Sequence, residues 1–147
     1  MRCSFDTNIL IYSIDTSDAV KNERAADLTS RATYSDCILT LQCLSELFAV
    51  AQRKNFASLS IAMIAQLRRT FPVFAADPAR LDEAIEASMK HNLSFWDAML
   101  WATVRQAGCA ILFTEDMQDG RKFGGVTFVN PFDPRNDSFI DEILPAA

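Results

Sequence analysis

Short apolar runs alternate along this chain with longer stretches of helical periodicity, the pattern of an α/β domain with a mostly parallel sheet. Residues 2–5 read as a first strand, and 7–12 turn at once into a helical piece. Positions 18–33 form a second, more polar helix. Residues 37–39 are strand two, after which Thr40 is placed to cap a helix over 41–54. Ser58 is expected to cap a further helix ending near Pro72, and 73–75 make a weak third strand. Asp77-Pro78 is a favoured helix start, carrying a helix to about His91. Ser94 caps the next helix, which stops at Gly108, a residue suited to the left-handed turn at a helix end. Residues 110–114 and 126–129 supply strands four and five, and the turn-rich tail from Pro131 holds a last helical turn over 139–144. No repeat, low-complexity stretch or composition shift divides the chain, so 1–147 is expected to be a single domain.

Within this pattern four carboxylates stand alone in apolar surroundings. Asp6 is the only charge between Arg2 and Asp15, and Glu46 the only one between Asp36 and Arg53. Asp97 is isolated within NLSFWDAMLWATV, and Asp116 follows the apolar run AILF and the residues Thr114-Glu115. Burying a carboxylate is costly unless something compensates for it. Ligands in open α/β sheets bind beyond the carboxyl ends of the strands. Asp6 and Asp116 directly follow strands there, and Asp97 lies in the first turn of its helix. Glu46 is roughly 8 Å along its helix from Leu41, with a side chain able to lean back toward the helix start. A capping box with Ser94 would explain Asp97 by itself. Glu46, mid-helix among Leu44, Leu47 and Phe48, has no such reading. Two such charges 4 Å apart repel by about 4 kcal/mol at an effective dielectric of 20, so a shared site calls for a cation. An all-oxygen donor set suits Mg²⁺ or Mn²⁺, whose coordination is commonly completed by phosphate oxygens.

The net charge of −5 argues weakly against a nucleic-acid partner. Once the four acids are set aside, 15 acidic residues remain against 14 basic ones, which is close to balance. Arg53-Lys54, Arg68-Arg69 and Arg121-Lys122 are candidate phosphate contacts, with Arg121 and Lys122 preferred for their closeness in sequence to Asp116. Cys3, Cys37, Cys43 and Cys109 form no C-x-x-C pair and read as buried thiols suited to a reducing cytoplasm. No signal peptide or membrane-spanning stretch is read. The single histidine, His91, falls near a helix C-terminus and reads as structural, which leaves no pair for acid–base ribonuclease chemistry. Phosphate-binding loop, nucleophile-elbow and dinucleotide fingerprints are absent. Phe48, Phe56, Ile61, Ile64, Leu67 and Phe71 are either core or an apolar groove for a partner.

Phe5-Asp6-Thr7-Asn8-Ile9-Leu10, Ser45-Glu46-Leu47, Phe95-Trp96-Asp97-Ala98 and Thr114-Glu115-Asp116-Met117-Gln118-Asp119-Gly120, in that order and spacing, resemble the PIN-domain ribonucleases, most of all the VapC-type toxins. The resemblance spans nearly the whole chain. It implies a three-layer α/β/α sandwich around a four- to five-stranded, mostly parallel sheet, with Asp6, Glu46, Asp97 and Asp116 as the metal-holding quartet. Asn8 and Thr114 would orient carboxylates or water, and Asp119 would add a further acid or a supporting contact. It also implies a homodimer, an antitoxin that blocks the site, and RNA as substrate. Hydrolysis by metal-activated water would leave 5′-phosphate and 3′-hydroxyl ends. The alternatives are a non-catalytic binding module of the same fold and a nuclease acting on DNA.

Overall fold

A computed structural model describes residues 1–146. Its first strand, β1 (Cys3–Phe5), is buried throughout and leads straight into α1 (Thr7–Tyr12) and then α2 (Ala19–Ala32). Next come β2 (Leu39–Thr40), α3 (Leu41–Arg53), α4 (Ala57–Thr70), β3 (Val73–Phe74), α5 (Pro78–Lys90) and α6 (Phe95–Gln106). The chain closes with β4 (Ile111–Phe113), β5 (Lys122–Phe123), β6 (Val126–Val129), a short 3₁₀ turn and α7 (Asp137–Ile143). One sheet runs β1-β4-β6-β5, parallel except for β5, which pairs antiparallel with β6. β2 and β3 pair in parallel beside it, and residues 36–38 join them to β1 through a Cys3–Cys37 bridge and the bond from the Ile38 amide to the Cys3 carbonyl. Helices pack as two groups, α5 on α6 and α1 with α2 and α3, the last also meeting α4. The result is the expected α/β/α sandwich.

The caps explain where the helices begin. Asp6, Asp18, Thr40, Asp77 and Ser94 each accept a backbone N–H of the first turn, satisfying donors that the helix leaves open. α4 departs from expectation. It starts at Ala57 with Phe56 at the cap position and no side-chain cap, so Ser58 lies inside the helix. β5 is an additional strand, only two residues long, and exists because β6 offers it a partner.

The expectation of four buried thiols is corrected for two of them. Cys3 and Cys37 are direct neighbours across paired segments, with Cα atoms 4.9 Å apart, and are joined as a disulfide. The thiol argument for a reducing compartment therefore does not extend to this pair. Cys43 and Cys109 are free and buried, and burial pushes both thiols up to about 12. Of the suggested apolar groove residues, Leu67 and Phe71 belong to the core, Ile64 packs against its edge, and Ile61 is exposed. No helix among the described residues is long and apolar enough to cross a membrane.

The C-terminus is tied to the body by Arg31, whose buried guanidinium donates to the Leu144 carbonyl at 2.6 Å and to Asp141 at 2.6 Å. Asp27, one turn back on α2, also accepts from it at 3.2 Å. Charge-assisted bonds of this kind contribute about 1.5–3 kcal/mol each, less where the partner is solvated as Asp141 is. Arg31→Ala is expected to lower stability by about 2 kcal/mol and to expose α7 first, read as earlier chymotryptic cleavage at Phe139.

Candidate active site

β1 and β4 are adjacent parallel strands, so their carboxyl ends open at one place. Asp6 sits at the end of β1, held there by its own N–H on the Phe113 carbonyl at 2.9 Å. Its side chain, 7% exposed, accepts from the Thr7 N–H at 2.6 Å and from the Thr114 hydroxyl at 2.9 Å. Thr114, fully buried just past β4, also accepts the Asp116 N–H at 3.1 Å and so fixes the turn that presents Asp116. Asn8 donates to the Asp116 carboxylate at 2.8 Å from the first turn of α1.

Glu46 reaches the same place from α3. Thr7 donates its hydroxyl to one Glu46 oxygen at 3.2 Å, and Gln42, four residues earlier on α3, donates to the other at 2.9 Å. The same Gln42 amide also reaches the Trp96 carbonyl at 3.0 Å, which ties α3 to the start of α6. Asp97 has its N–H on the Ser94 hydroxyl at 3.3 Å, but among the described residues its carboxylate does not bond back. The capping box is thus half made, and the Asp97 charge is left to act on its neighbours.

The electrostatics carry the signature of convergence. Burial pushes the Asp6 carboxyl up to about 6 against the pull of its two hydrogen bonds, and the charges of Asp116 and Asp97 push the same way. Asp116 is also raised, by burial first, then by Glu115 and Asp97, with Asn8 opposing. The Cys43 thiol feels both Asp6 and Glu46. Every hydrogen bond to these carboxylates comes from a neutral group, and among the described residues none of the four joins an ion pair, although many other acids of the chain do. Asp6 is buried, Glu46 and Asp97 are half-buried and Asp116 is exposed, and such a set of hard oxygen donors, with no ion pair among the described residues, fits a divalent cation. Among the described residues no three such groups are gathered closely enough to hold an ion as they stand.

The remaining candidates fall elsewhere. Asp119 accepts from the Asn130 N–H at 2.8 Å and from the Asn136 amide at 3.0 Å, pinning its loop to the C-terminal segment. Arg121 donates to the His91 carbonyl at the end of α5 at 2.8 Å and lies over the Phe123 ring. Lys122 is exposed on β5, separated from β4 by β6. Thr7 and Gln42 were not singled out from sequence. The signals for them were adjacency to Asp6 and the i−4 position relative to Glu46. Glu115, next to Asp116, is tied to Lys21 at 2.7 Å and accepts from the Tyr12 hydroxyl, bracing the loop from its outer side.

A family model described as the PIN domain matches residues 4–119. Among solved structures, the chain resembles Mycobacterium tuberculosis VapC20, a sarcin–ricin loop cleaving toxin, at 19% identity and a TM-score of 0.66, covering 78% of this chain and 89% of that one. It also resembles a chain of a toxin–antitoxin complex from Klebsiella pneumoniae at 19% identity and a TM-score of 0.63, covering 88% of this chain and 97% of that one. No curated protein sequence matches it.

Proposed function

The chain belongs to the PIN domain family, and from that premise we propose that it is a metal-dependent endoribonuclease acting as the toxin of a toxin–antitoxin pair. The observation that carries the reading is the single network Glu46–Thr7–Asp6–Thr114–Asp116–Asn8, with the Asp97 charge acting on it and, among the described residues, no ion pair to any of the four acids. The similarity of fold to a toxin that cleaves the sarcin–ricin loop is consistent with this reading. Asp6, Glu46, Asp97 and Asp116 would hold the ion, Mg²⁺ or Mn²⁺. When bound, it supplies Lewis-acid and water-activating chemistry for phosphodiester hydrolysis, leaving 5′-phosphate and 3′-hydroxyl ends.

The chain's own residues do the positioning. Thr114 orients Asp6 and the Asp116 backbone together, Asn8 holds the Asp116 carboxylate, and Thr7 with Gln42 turns Glu46 inward. Thr114→Val keeps the shape of the side chain but removes both bonds. Partners that orient metal ligands typically cost 10–100-fold when lost, so this variant is expected to cut roughly 30-fold more slowly, with most of the loss recovered by raising Mn²⁺. The proposed setting is the cytoplasm, with a cognate antitoxin and a second copy of the chain as partners. Leu81, Ile85 and Met89, exposed along one side of α5, offer apolar surface of the kind such partners cover.

The direct test incubates purified protein with total cellular RNA and Mg²⁺ or Mn²⁺, then maps the new ends. Discrete cuts bearing 5′-phosphates, absent with Asp97→Asn and absent in EDTA, are the expected outcome. Intact RNA under every metal condition would defeat the proposal.

A further inference from the structure

Glu46 has two surroundings. On one side it belongs to the acidic network, and on the other it forms the wall of a groove of about 640 Å³ between α3, α6 and the segment after β3. The stripe Gln42, Glu46, Val50 and Arg53 of α3 faces Trp96, Met99 and Thr103 of α6, with Phe74 closing the rim. That volume lies within the roughly 300–1,000 Å³ of sites that enclose small organic groups. Its surface is mainly apolar, which suits a flat ring and not a phosphate.

Three features line it. Glu46 and Trp96 both border it, the latter adjoining Asp97, where a scissile phosphate would be held. The Trp96 ring is 63% exposed, with an edge contact from Phe95 at 5.1 Å. Two helical turns from Glu46, about 10 Å along α3, is Arg53, which among the described residues has neither a carboxylate partner nor a hydrogen bond. Its neighbour Lys54 is by contrast spent on Asp15 at 2.9 Å. A carboxylate centre suited to a metal, an exposed aromatic face and a free guanidinium are together the groups that engage the phosphates and a base of a nucleic-acid strand.

We propose that this groove is the subsite for the nucleotide flanking the cut, with its base stacked on Trp96 and its further phosphate on Arg53, so that the enzyme takes unpaired RNA there. The assignment rests on the nuclease reading. A base inside a duplex has no free face to offer Trp96, so a single-stranded or looped substrate is selected at this position. Recognition through the face of the ring is tolerant of base identity.

The test uses anisotropy of a fluorescein-labelled, mixed-sequence, single-stranded RNA in Mg²⁺, with every protein also carrying Asp97→Asn to prevent cleavage. Trp96→Ala is expected to weaken binding roughly 10-fold and Trp96→Phe to restore most of it. Arg53→Ala is expected to weaken binding and to lower the salt dependence by about one counterion. Binding unchanged in both alanine variants overturns the subsite. If Trp96→Ala instead shifts the oligomeric state seen by light scattering while RNA affinity holds, the groove is a protein interface. Cleavage of total RNA by chains that retain Asp97 separates the two readings. A chain with no other change that neither binds nor cuts removes the nuclease itself, whereas one that cuts, with Trp96→Ala equally active and equally tight, removes the groove alone.

Discussion

Asp6→Asn is expected to abolish RNA cleavage while making the metal-free protein more stable. The two effects have one cause. Asp6 is buried among neutral donors and beside other acids, and its carboxyl is raised from 3.8 to about 6. An acid whose folded value is raised is favoured in its protonated form by folding. Stability from this group is therefore full below about pH 4 and lost as the pH rises through about 6, leaving a cost of about 3 kcal/mol at pH 8. Asparagine carries no charge, serves equally well as a helix cap, and retains an oxygen for the Thr7 N–H. In EDTA the variant should be more stable than the parent at pH 8, with the gap closing toward pH 4, as read by urea unfolding at both values. Cleavage should fall by more than the roughly 100-fold typical of losing a supporting partner, because a charged donor is gone. A variant less stable than the parent at pH 8 would mean that Asp6 is compensated by something other than a cation.

Phe113→Ala should produce the largest loss of stability. Phe113 is fully buried at the end of β4 and stacks on Phe5 of β1, with ring centroids 5.3 Å apart. Removing such a ring costs about 3–5 kcal/mol through lost transfer energy and the cavity left behind. That is a large share of the roughly 5–15 kcal/mol that holds a domain folded, and it corresponds to a fall in Tm of about 10 °C or more. The ring also packs beneath the point where the Asp6 N–H meets the Phe113 carbonyl. Thermal unfolding should show the loss directly. Cleavage measured well below the new Tm should fall too, since Asp6 and Thr114 lose their common support. Phe113→Leu, which refills most of the space, should recover the greater part of both.

The placement of the acids was legible because a lone charge in apolar sequence leaves a trace in one dimension. Glu46 stands out amid Leu44, Leu47 and Phe48, and the strand–loop order carried Asp6 and Asp116 to one edge. Strands as short as β5 leave no such trace, since two residues acquire their conformation from the neighbour they pair with. Cys3 and Cys37 lie 34 positions apart, and nothing in apolar periodicity states which strands adjoin or in what register. Arg121 illustrates the same limit for cations. Nearness to Asp116 in sequence suggested a phosphate contact, but the turn before β5 swings it onto the end of α5. Arg53 by contrast follows Glu46 on α3, and two turns of that helix set it on the same face as the glutamate, a placement that helical periodicity alone could have shown.

The two borders of the sheet are β3 and β5, each two residues long. An unpaired strand is ordinarily a template on which other chains add, and brevity with a lysine on the edge is how proteins blunt it. Here neither border offers more than a couple of main-chain groups, and Lys122 guards one of them. The protein should therefore remain dispersed at high concentration and resist growth into fibrils. A protein partner is expected to hold it by side-chain surfaces and helix faces, because among the described residues the sheet borders are too short for a peptide to extend.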